Sequence, residues 1–508
     1  NEMPDIDIDF CTERREEVIN YVRERYGEDH VGQIVTHGTM GARACIKDVA
    51  RVLNIPFDEA NKISSLIPSE LNIKLDRALE SSADLRKYAE KGDLERKLFA
   101  ISLALEGNAR HSGVHAAGVV IAPEPLAEIV PMATVAPAAG SKNRERIPVT
   151  QYDKGDLESV GLVKMDFLGL RNLTIIQNTL DRLKKENISI AIGEIPLDDP
   201  LTYKMLQKGD VAGVFQLESS GMREFVLKTR PTCFEDIIAL IALFRPGPLE
   251  SGMANSFIDR KNGKETVRYP HPDLEGILKD TYGVFVYQEQ VMLISRIIGG
   301  FTPGESDALR KAMGKKDEQK MEAMRIKFVE GARSRGYDAK FAAELYAQMA
   351  EFAKYAFNKS HSAAYAMIVY QTAYLKANHP TAYMCAVLDS VMDHTESLVP
   401  YIQACARMGI SILGPDINES EATFASPDAS RIRFGLAGIK NVGQAAVDSI
   451  LAVRRKEGAF SSFSRFLERI DLKLCNKRML ESLIVSGAFD SMGYTRRALC
   501  EGLELALR

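Results

Sequence analysis

The chain has 508 residues, of which 45% are hydrophobic and 26% charged, and its formal net charge at pH 7 is −4. These values are typical of globular proteins, so they exclude a disordered or fibrous chain, and the length predicts two to four domains. The balanced charge gives no sign of a polyanionic partner, so any surface that binds nucleic acid has to be local.

The seven cysteines are odd in number and never spaced as CxxC. This argues against a disulfide framework and a zinc ribbon, and it fits a reducing cytosol. The sequence has no apolar run of about 18 residues and no secretory leader, so we expect a cytoplasmic protein without a membrane span. The chain starts at Asn1 and soon reaches an acidic cluster, which we interpret as the start of a fragment of a longer protein.

The first predicted element is a strand in MPDIDIDF, where Asp5, Asp7 and Asp9 alternate with isoleucines. Alternate residues of a strand share one face, so the pattern predicts an acidic face and a buried apolar face. Three carboxylates in a row repel one another, and a hard divalent ion such as Mg²⁺, which prefers oxygen ligands, would offset that repulsion. A solvated acidic face is the alternative.

An EF-hand loop is a second interpretation of the same stretch. Asp5, Asp7, Asp9 and Glu16 occupy the first, third, fifth and twelfth positions of such a loop. The sixth position requires glycine for a sharp turn, and here it is Phe10. We therefore favour the strand.

Helices follow the strand directly. In EEVINYVRERY, Val18, Ile19, Val22 and Tyr26 recur at helical spacing, which predicts an amphipathic helix. The residues of about 37–120 are then predicted to be mostly helical.

Strands return after this helical segment. GVVIAPEP at 118–125 is predicted to be a short buried strand, 134–147 a loop, and LVKMDFLGL at 162–170 another apolar strand. Asp166 lies in a run otherwise too apolar to carry a charge without compensation, and it would supply the further carboxylate that a two-ion site needs. A helix N-cap or a buried ion pair with Lys164 explains it equally well.

The stretch 183–200, with a charge cluster, a glycine and two prolines, predicts a boundary, and long helical patterns continue from there to about 410. In ESDALRKAMGKK, Arg310, Lys311, Lys315 and Lys316 form a basic cluster that can reach a triphosphate. A solvated helix face is the usual alternative for such a run.

Other polar groups in this region are less specific. His361 in NKSHSAAYA precedes a helix of small residues, which is an anion site in principle, although a structural histidine is the commoner case. Arg245 in FRPGPLESGM and the residues Gln288, Glu289 and Gln290 in YQEQVM lie beside apolar runs. From the sequence alone, none of these residues indicates a particular ligand or reaction.

The tail contains FGLAGIKNVGQAAVDSILAVRR at 434–455, which predicts a helix, a hairpin from Gly438 to Gly443, and a second helix opened by Gln444. Two glycines let backbone N–H groups approach a phosphate, and a helix N-terminus favours its charge. We expect a helix-hairpin-helix that binds the DNA backbone without sequence specificity, with a degenerate second copy at 476–493. A tight helical hairpin without a ligand is the alternative.

Taken in chain order, these motifs resemble those of the C family of bacterial replicative DNA polymerases, the alpha subunits of DNA polymerase III. The resemblance covers essentially the whole chain and is carried by PDIDIDF, HGTMGARACIKDVARVL, HAAGVVIAP, GLVKMDFLGLRNLTII, VFQLESSGM, ALFRPGPLESGM, YQEQVM, LRKAMGKK, FNKSHSAAYA and FGLAGIKNVG.

The resemblance implies an α+β, multidomain fold with a palm like that of the polymerase-beta nucleotidyltransferases, a helical thumb inserted in the palm, and large, mainly helical fingers. The implied boundaries are palm 1–36 and 121–170, thumb 37–120, fingers 171–412, and a helix-hairpin-helix region at 413–508 that starts the clamp-binding domain. It also implies that the PHP domain, the first palm portion, the clamp-binding peptide and the OB-fold are missing. We therefore expect weak DNA binding and little polymerisation, and restored primer extension when the upstream palm segment is added.

The implied reaction is template-directed 5′–3′ DNA synthesis, in which a primer 3′-hydroxyl takes dNMP from dNTP and pyrophosphate leaves, by two-Mg²⁺ phosphoryl transfer. Carried over to this sequence, the catalytic and metal-binding residues are Asp5, Asp7 and Asp166, with Asp9 as a supporting acid. The implied nucleotide-binding residues are Arg43, Lys164, Arg310, Lys311 and His361, and the DNA-binding residues are Gly438, Lys440 and Gly443.

The implied partners are primer-template DNA, dNTPs and, in the full-length parent, the sliding clamp, the proofreading exonuclease and the clamp-loader subunits, at the nucleoid of a bacterial cytoplasm. Three alternatives remain: an error-prone translesion polymerase of the same family, a DNA-binding fragment without catalysis, and a divalent-metal nuclease. The carboxylate set favours an enzyme over a scaffold, and Arg310, Lys311 and Lys164 favour a polymerase over a nuclease.

Overall fold

A computed structural model describes residues 6–70, 72–136, 146–315, 317–353 and 355–507. The chain divides into two compact units, Asn1–Leu170 and Arg171–Arg508. Both contain helices and a small sheet, which confirms the expected α+β class with more than one domain. Within the described ranges, no helix has the length and apolar character that a membrane span requires.

The first unit contains a six-stranded mixed sheet of β1 (Ile6–Cys11), β2 (Val31–Thr39), β3 (Ala109–Ile121), β4 (Met132–Val135), β5 (Ile147–Thr150) and β6 (Lys164–Leu170). The strand order is β1-β6-β3-β2-β5-β4. β1 pairs with β6 and β2 with β5 in parallel, whereas the β2–β3, β3–β6 and β4–β5 pairs are antiparallel.

Most helices of the first unit are inserted between β2 and β3. The helices of this unit are α1 (Arg15–Tyr26), α2 (Ala42–Val52), α3 (Phe57–Ser65), α4 (Leu75–Ser81), α5 (Ala83–Ala89), α6 (Asp93–Leu105), α7 (Leu126–Ile129) and α8 (Lys154–Ser159). The inserted helices α2 to α6 share a core that includes Ile46, Ile63 and Leu98.

The predicted helical segment 37–120 is confirmed from α2 to α6 but wrong at both ends. There β2 and β3 continue as a two-stranded ladder, with His37 opposite Ser112 and Thr39 opposite Ala109. The strand predicted at 118–125 accordingly begins earlier, at Ala109, and ends at Ile121. The polar end of β2 pairs with the polar start of β3, so the backbone groups of both segments form their hydrogen bonds in a sheet and not in a helix.

The apolar face of β1 is covered by the helix that follows it. Ile19 and Val22 of α1 are buried, and Ile8 and Phe10 of β1 pack against the same cluster. The predicted division of β1 into an apolar and an acidic face is therefore confirmed for its described residues. Tyr26, expected on the apolar face of α1, is instead 55% exposed, because it lies at the last turn, beyond the sheet contact.

The second unit is mainly helical. Its small sheet has the order β7-β9-β8 and consists of β7 (Ser411–Leu413), β8 (Ala425–Asp428) and β9 (Arg431–Arg433). Its helices are α9 (Arg171–Lys185), α10 (Pro200–Gln207), α11 (Ser220–Thr229), α12 (Phe234–Leu243), α13 (Pro246–Glu250), α14 (Met253–Lys261), α15 (Glu275–Leu278), α16 (Gln288–Ile297), α17 (Pro303–Lys315), α18 (Glu318–Ser334), α19 (Ala339–Phe352), α20 (Lys359–Asn378), α21 (Pro380–Asp389), α22 (Thr395–Arg407), α23 (Gln444–Glu457), α24 (Phe463–Arg469), α25 (Lys477–Ser486) and α26 (Arg496–Ala506).

The boundary between the two units does not fall in the stretch 183–200. It falls between Leu170 and Arg171, because α9 packs its Ile175 and Ile176 into a cluster with Tyr383 of α21. The stretch 183–200 is instead the end of α9 and the connection to α10.

Candidate functional site

Two of the predicted catalytic carboxylates lie side by side on adjacent strands. In the parallel β1–β6 pair, Asp7 is the partner of Asp166, and on the other side of β6 the partner of Asp166 is Gly118 of β3. Paired residues project from the same face of a sheet. Asp7 and Asp166 therefore share the face opposite α1, and Asp9 lies on it one pleat further along β1. Asp5 lies outside the described residues.

Asp166 is held by a neighbouring cation. Its Oδ2 is ion-paired with Nζ of Lys164, which lies two residues earlier on the same face of β6 and is only 5% exposed. The suggested ion pair is thus confirmed, and the suggested helix N-cap is wrong because Asp166 lies inside a strand. The other oxygen of Asp166, Oδ1, is buried without a hydrogen-bond partner among the described atoms, a costly state for a carboxylate.

The described acids do not form a complete metal site by themselves. Asp7 is exposed and Asp9 is half-buried. No group of three or more histidine, cysteine, aspartate or glutamate side chains able to hold a metal occurs in the ranges that the structure describes. The described face therefore supplies an acidic pair, Asp7 and Asp166, on which a third ligand would have to converge.

His115 is a residue of this face that the spacing of HAAGVVIAP did not single out. The pairing of β3 with β2 shifts between Val114 and Val119, and within this bulge Nδ1 of His115 accepts hydrogen bonds from the backbone N–H groups of Ala117 (3.2 Å) and Gly118 (2.7 Å). The ring proton is therefore assigned to Nε2. The available signal was an imidazole placed two residues before a buried run that begins with the small residues Ala117 and Gly118.

Gly118 links His115 to Asp166. A Cβ at Gly118 would lie 2.7 Å from Cδ1 of Ile34 and 3.0 Å from Nδ1 of His115, so only glycine leaves room for the imidazole. Because Gly118 is also the strand partner of Asp166, the His115 bulge positions the backbone next to the acidic pair.

Arg43, a predicted nucleotide-binding residue, has contacts within the helical insertion. It lies at the start of α2, and its guanidinium donates to the backbone carbonyls of Ile67 (2.8 Å) and Pro68 (3.3 Å) beyond the end of α3. These contacts explain its position without a ligand, and its nucleotide-binding role stays a prediction.

In the second unit, Arg310 and Lys311 of α17 form ion pairs with Asp307 at 2.9 Å and 3.4 Å. Hydrogen bonding from Arg310 lowers the pKa of Asp307 below its ordinary value. Arg310 also approaches Oε1 of Gln288, at the start of α16, to 3.5 Å. The backbone of α17 is described to Lys315, and Lys316 lies outside the described residues.

The polar groups that were separate in the sequence converge around Phe357. Its carbonyl accepts a hydrogen bond from the backbone N–H of Gln288 (2.8 Å), and the guanidinium of Arg245 lies 4.5 Å from its ring centroid. His361, at the start of α20, contacts the Phe357 ring edge-on at 5.5 Å and stacks on Tyr365 at 4.6 Å. Arg245, Gln288 and His361 thus contact Phe357, and Arg310 is linked to them through Gln288.

The tail hairpin presents its polar residues outward. Ile439 and Val442 are buried in the core of the C-terminal helices, whereas Lys440, Asn441 and Gly443 are exposed. Gly443 is the N-cap residue of α23 and has open space around its Cβ position. Lys440 and the N-terminus of α23 therefore face solvent together, as an anion site requires.

The helix predicted ahead of the hairpin is wrong. The segment consists of β9 and one 3₁₀ turn at Leu436–Gly438, because the N–H groups of Leu436 and Ala437 donate to the carbonyls of Glu421 (2.9 Å) and Ala422 (3.0 Å). Gly438 is required by packing, since a Cβ there would lie 2.8 Å from Cγ of Met392. The second helix begins at Gln444, as predicted.

Comparison with known proteins identifies the family. Residues 1–169 match the model of the bacterial DNA polymerase III alpha NTPase domain, and residues 172–336 match that of the alpha subunit finger domain. The chain belongs to the family of bacterial DNA polymerase III alpha subunits. Residues 409–499 of this family member match a helix-hairpin-helix motif.

Individual relatives agree along the whole chain. The chain is 46% identical to DNA polymerase III subunit alpha of Pseudomonas aeruginosa over 501 residues, which cover 97% of this chain and 42% of that protein. For the subunit of Escherichia coli K12 the identity is 45% over 516 residues, covering 100% of this chain and 44% of the relative. The chain thus spans less than half the length of the relatives it matches.

The candidate residues fall in different regions matched by the alpha-subunit family models. The NTPase-domain match contains Asp7, Lys164 and Asp166, and the finger-domain match contains Arg310 and Lys311. His361 lies between the finger-domain match and the helix-hairpin-helix match, so its place beside Phe357 is known from the fold alone.

Proposed function

We propose that this chain carries the active-site carboxylates of a template-directed DNA polymerase, which adds dNMP from dNTP to a primer 3′-hydroxyl and releases pyrophosphate. The observation that carries the proposal is the in-register pair Asp7 and Asp166 on one face of the sheet. Membership of the alpha-subunit family supports the reaction type.

The donor set of this face fits a divalent metal. Carboxylate oxygens are the ligands that Mg²⁺ prefers, and the buried Oδ1 of Asp166 lacks any hydrogen-bond partner in the described part of the chain. We assign Asp7 and Asp166, together with the predicted Asp5, as the residues that would hold Mg²⁺. When bound, two such ions would activate the 3′-hydroxyl and neutralise charge on the triphosphate.

The neighbouring residues would position these carboxylates. Lys164 holds Oδ2 of Asp166 and so fixes the orientation of its carboxylate. His115 holds the bulge whose Gly118 pairs with Asp166. Asp9 adds negative charge to the same face and raises its attraction for cations.

In the second unit, we propose that Arg310, Lys311 and His361 bind the triphosphate of the incoming dNTP. Cationic groups held in position beforehand stabilise the charge that develops on a leaving pyrophosphate. The exposed Lys440 and Gly443 of the tail hairpin would contact the DNA backbone, as helix N-termini and lysines do.

The finer domain assignment is part of this proposal. The sheet with α1 would be the palm, α2 to α6 the thumb, residues 171–412 the fingers, and residues 413–508 the helix-hairpin-helix region. Primer-template DNA, the sliding clamp, the proofreading exonuclease and the clamp loader would be partners of the whole protein.

Primer extension with the longest protein that contains this chain tests the carboxylates. We expect Asp7→Asn and Asp166→Asn each to lower the extension rate at least about a hundredfold, because each removes a charged ligand. Asp58→Asn, which removes an exposed carboxylate on α3, is the matched control and should extend normally. Binding of Mn²⁺, followed by electron paramagnetic resonance, should weaken in the same two variants. Normal extension by both would overturn the assignment.

A further inference from the structure

A large cavity in the second unit lies apart from the groups described above. Its volume is about 1090 Å³, and α10, α20 and α22 contribute to its walls. We call it the basic basin, because its charged lining residues are the cations Lys204, Lys208, Arg223, Lys376 and Arg407 and the acids Asp210 and Glu218.

Both acids of the basic basin are already engaged. The ammonium of Lys376, which is 1% exposed, lies 2.6 Å from Oδ1 of Asp210 and 2.9 Å from its carbonyl oxygen. Oε1 of Glu218 accepts hydrogen bonds from the backbone N–H of Gly213 (2.6 Å) and the hydroxyl of Tyr401 (2.8 Å). One acid is thus neutralised by a buried lysine, and the other is held by neutral donors.

Four cations remain on the walls of the basin. Lys204, Lys208, Arg223 and Arg407 are all exposed, and none of them forms an ion pair within the described part of the chain. Nε of Arg223 donates to the carbonyl of Gly209 (2.8 Å), which anchors its guanidinium and leaves the terminal N–H groups available. Like charges gathered in one concavity repel one another and focus a positive potential, which a ligand with several negative charges relieves.

The apolar lining of the basin narrows the choice of ligand. Leu201 is 55% exposed, and Pro400 and the half-buried residue Tyr401 line the same cavity. Free phosphate needs only the cations, whereas a single nucleic-acid strand combines phosphates with bases that require flat apolar or aromatic surfaces.

We propose that the basic basin binds a single strand of DNA, with its phosphates on Lys204, Lys208, Arg223 and Arg407 and its bases against Tyr401, Pro400 and Leu201. That the ligand is a polyanion with apolar groups follows from the basin itself, and that it is DNA rests on the proposed polymerase function.

Protection of lysines from acetylation tests the proposal locally, without interference from other DNA-binding surfaces. The whole chain is treated with an amine-acetylating reagent alone, with an oligothymidylate of about 12 nucleotides, or with inorganic phosphate, and each lysine is followed by mass spectrometry. We expect the oligonucleotide, and not phosphate, to slow modification of Lys204 and Lys208 at least about fivefold. Lys279 and Lys340, exposed lysines of the same unit outside the basin, should react at unchanged rates. Unchanged rates at Lys204 and Lys208, or equal protection by phosphate, would overturn the proposal.

A charge-reversal pair gives a second measurement. In Lys204→Glu/Lys208→Glu, the dependence of oligothymidylate affinity on salt should become shallower by about 1.4 in the log–log slope, since each phosphate contact on a single strand contributes about 0.7. Lys279→Glu/Lys340→Glu makes the same change in net charge and should keep the original slope. Equal slopes in the two variants count against the basin.

The acetylation experiment also separates this proposal from the proposed reaction. Asp7→Asn should lose primer extension in the longest protein that contains this chain, and in the chain itself it should keep the protection of Lys204 and Lys208. If Asp7→Asn extends primers normally while protection persists, the catalytic assignment fails and the basin stands. If extension behaves as expected and protection is absent, only the basin proposal fails.

Discussion

At the scale of single residues, Asp236 is a fully buried carboxylate of the second unit, with 0% of its surface exposed. Its oxygens accept from the ammonium of Lys261 (2.8 Å), the backbone N–H of Thr232 (2.8 Å) and the hydroxyl of Tyr282 (3.0 Å). Burial alone would raise the pKa of Asp236, but these hydrogen bonds outweigh it and hold the pKa below its ordinary value. The carboxylate is therefore charged and fully satisfied inside the unit.

Asp236→Asn should destabilise the second unit in a pH-dependent way. Because the pKa of Asp236 is lowered in the folded state, its contribution is complete above the unfolded value of about 3.9 and is lost as the pH falls through the folded pKa. At neutral pH the variant leaves the buried ammonium of Lys261 without its ion-pair partner, so we expect a loss of about 3 kcal/mol in the free energy of unfolding. We expect denaturant unfolding to show that the difference in the free energy of unfolding between the variant and the unsubstituted chain is smaller at about pH 3 than at neutral pH.

Asp259→Asn is the matched control for this pH effect. Asp259 is part-exposed and its ion pair with Lys264 is long, at 3.7 Å, so its loss should cost less than about 1 kcal/mol. A deficit for Asp236→Asn that is as large at about pH 3 as at neutral pH would contradict the assignment of the lowered pKa.

His115 should act through its Nδ1 acceptor. In His115→Ala the backbone N–H groups of Ala117 and Gly118 lose that acceptor, so we expect unfolding to become easier by about 1 to 3 kcal/mol. In the longest protein that contains this chain, the same change should slow the proposed primer extension. His115→Asn places an amide oxygen where Nδ1 was and should recover most of both. Denaturant unfolding and primer extension, measured on the two variants, check this. If His115→Asn is as impaired as His115→Ala, the imidazole acts through Nε2 instead.

At the scale of elements, the tail hairpin should contact phosphate through Lys440. Lys440→Gln removes one exposed cation beside the N-terminus of α23, so the salt dependence of duplex DNA affinity should become shallower by about 0.9 in the log–log slope. Lys473→Gln removes a comparably exposed lysine outside the hairpin and should leave the slope unchanged. Fluorescence anisotropy over a range of salt concentrations measures both, and identical slopes would exclude Lys440 from the interface.

Features that depend on neighbouring residues could be predicted from the sequence, whereas features that depend on pairing between distant segments could not. Alternation along β1 was enough to predict its acidic face and its buried apolar face, because both follow from the period of a strand. The partnership of Asp7 with Asp166 was not readable in the same way, since it depends on the register of a parallel pair whose strands are far apart in the sequence. The resemblance to a family suggested the set of residues, and the pairing explains why they meet.

The two wrong element predictions have the same origin. The outer ends of β2 and β3 are polar and contain glycine, so neither is recognisable as a strand until the other pairs with it. The segment before the tail hairpin forms a strand and a 3₁₀ turn because Glu421 and Ala422 accept its N–H groups. Tertiary hydrogen bonds decided both cases, and local propensity is a weak guide where they do.

At the scale of the whole chain, each unit has hydrophobic clusters of its own residues. In Asn1–Leu170 one cluster joins Ile34 to Val120 across the sheet, and another fills the helical insertion. In Arg171–Arg508 the C-terminal helices form a cluster that includes Leu480. Separate cores are the physical basis of separate cooperative unfolding.

Core substitutions should therefore act within one unit. Ile34 and Leu480 are both fully buried, so Ile34→Ala and Leu480→Ala should each cost about 2 to 5 kcal/mol through lost contacts and a cavity. Hydrogen exchange followed by mass spectrometry should show faster amide exchange across Asn1–Leu170 in the first variant and across Arg171–Arg508 in the second. Ile34→Val, which removes one methylene, should produce the same pattern with a smaller cost of about 1 kcal/mol. Faster exchange across both units in either alanine variant would mean that the two cores unfold as one.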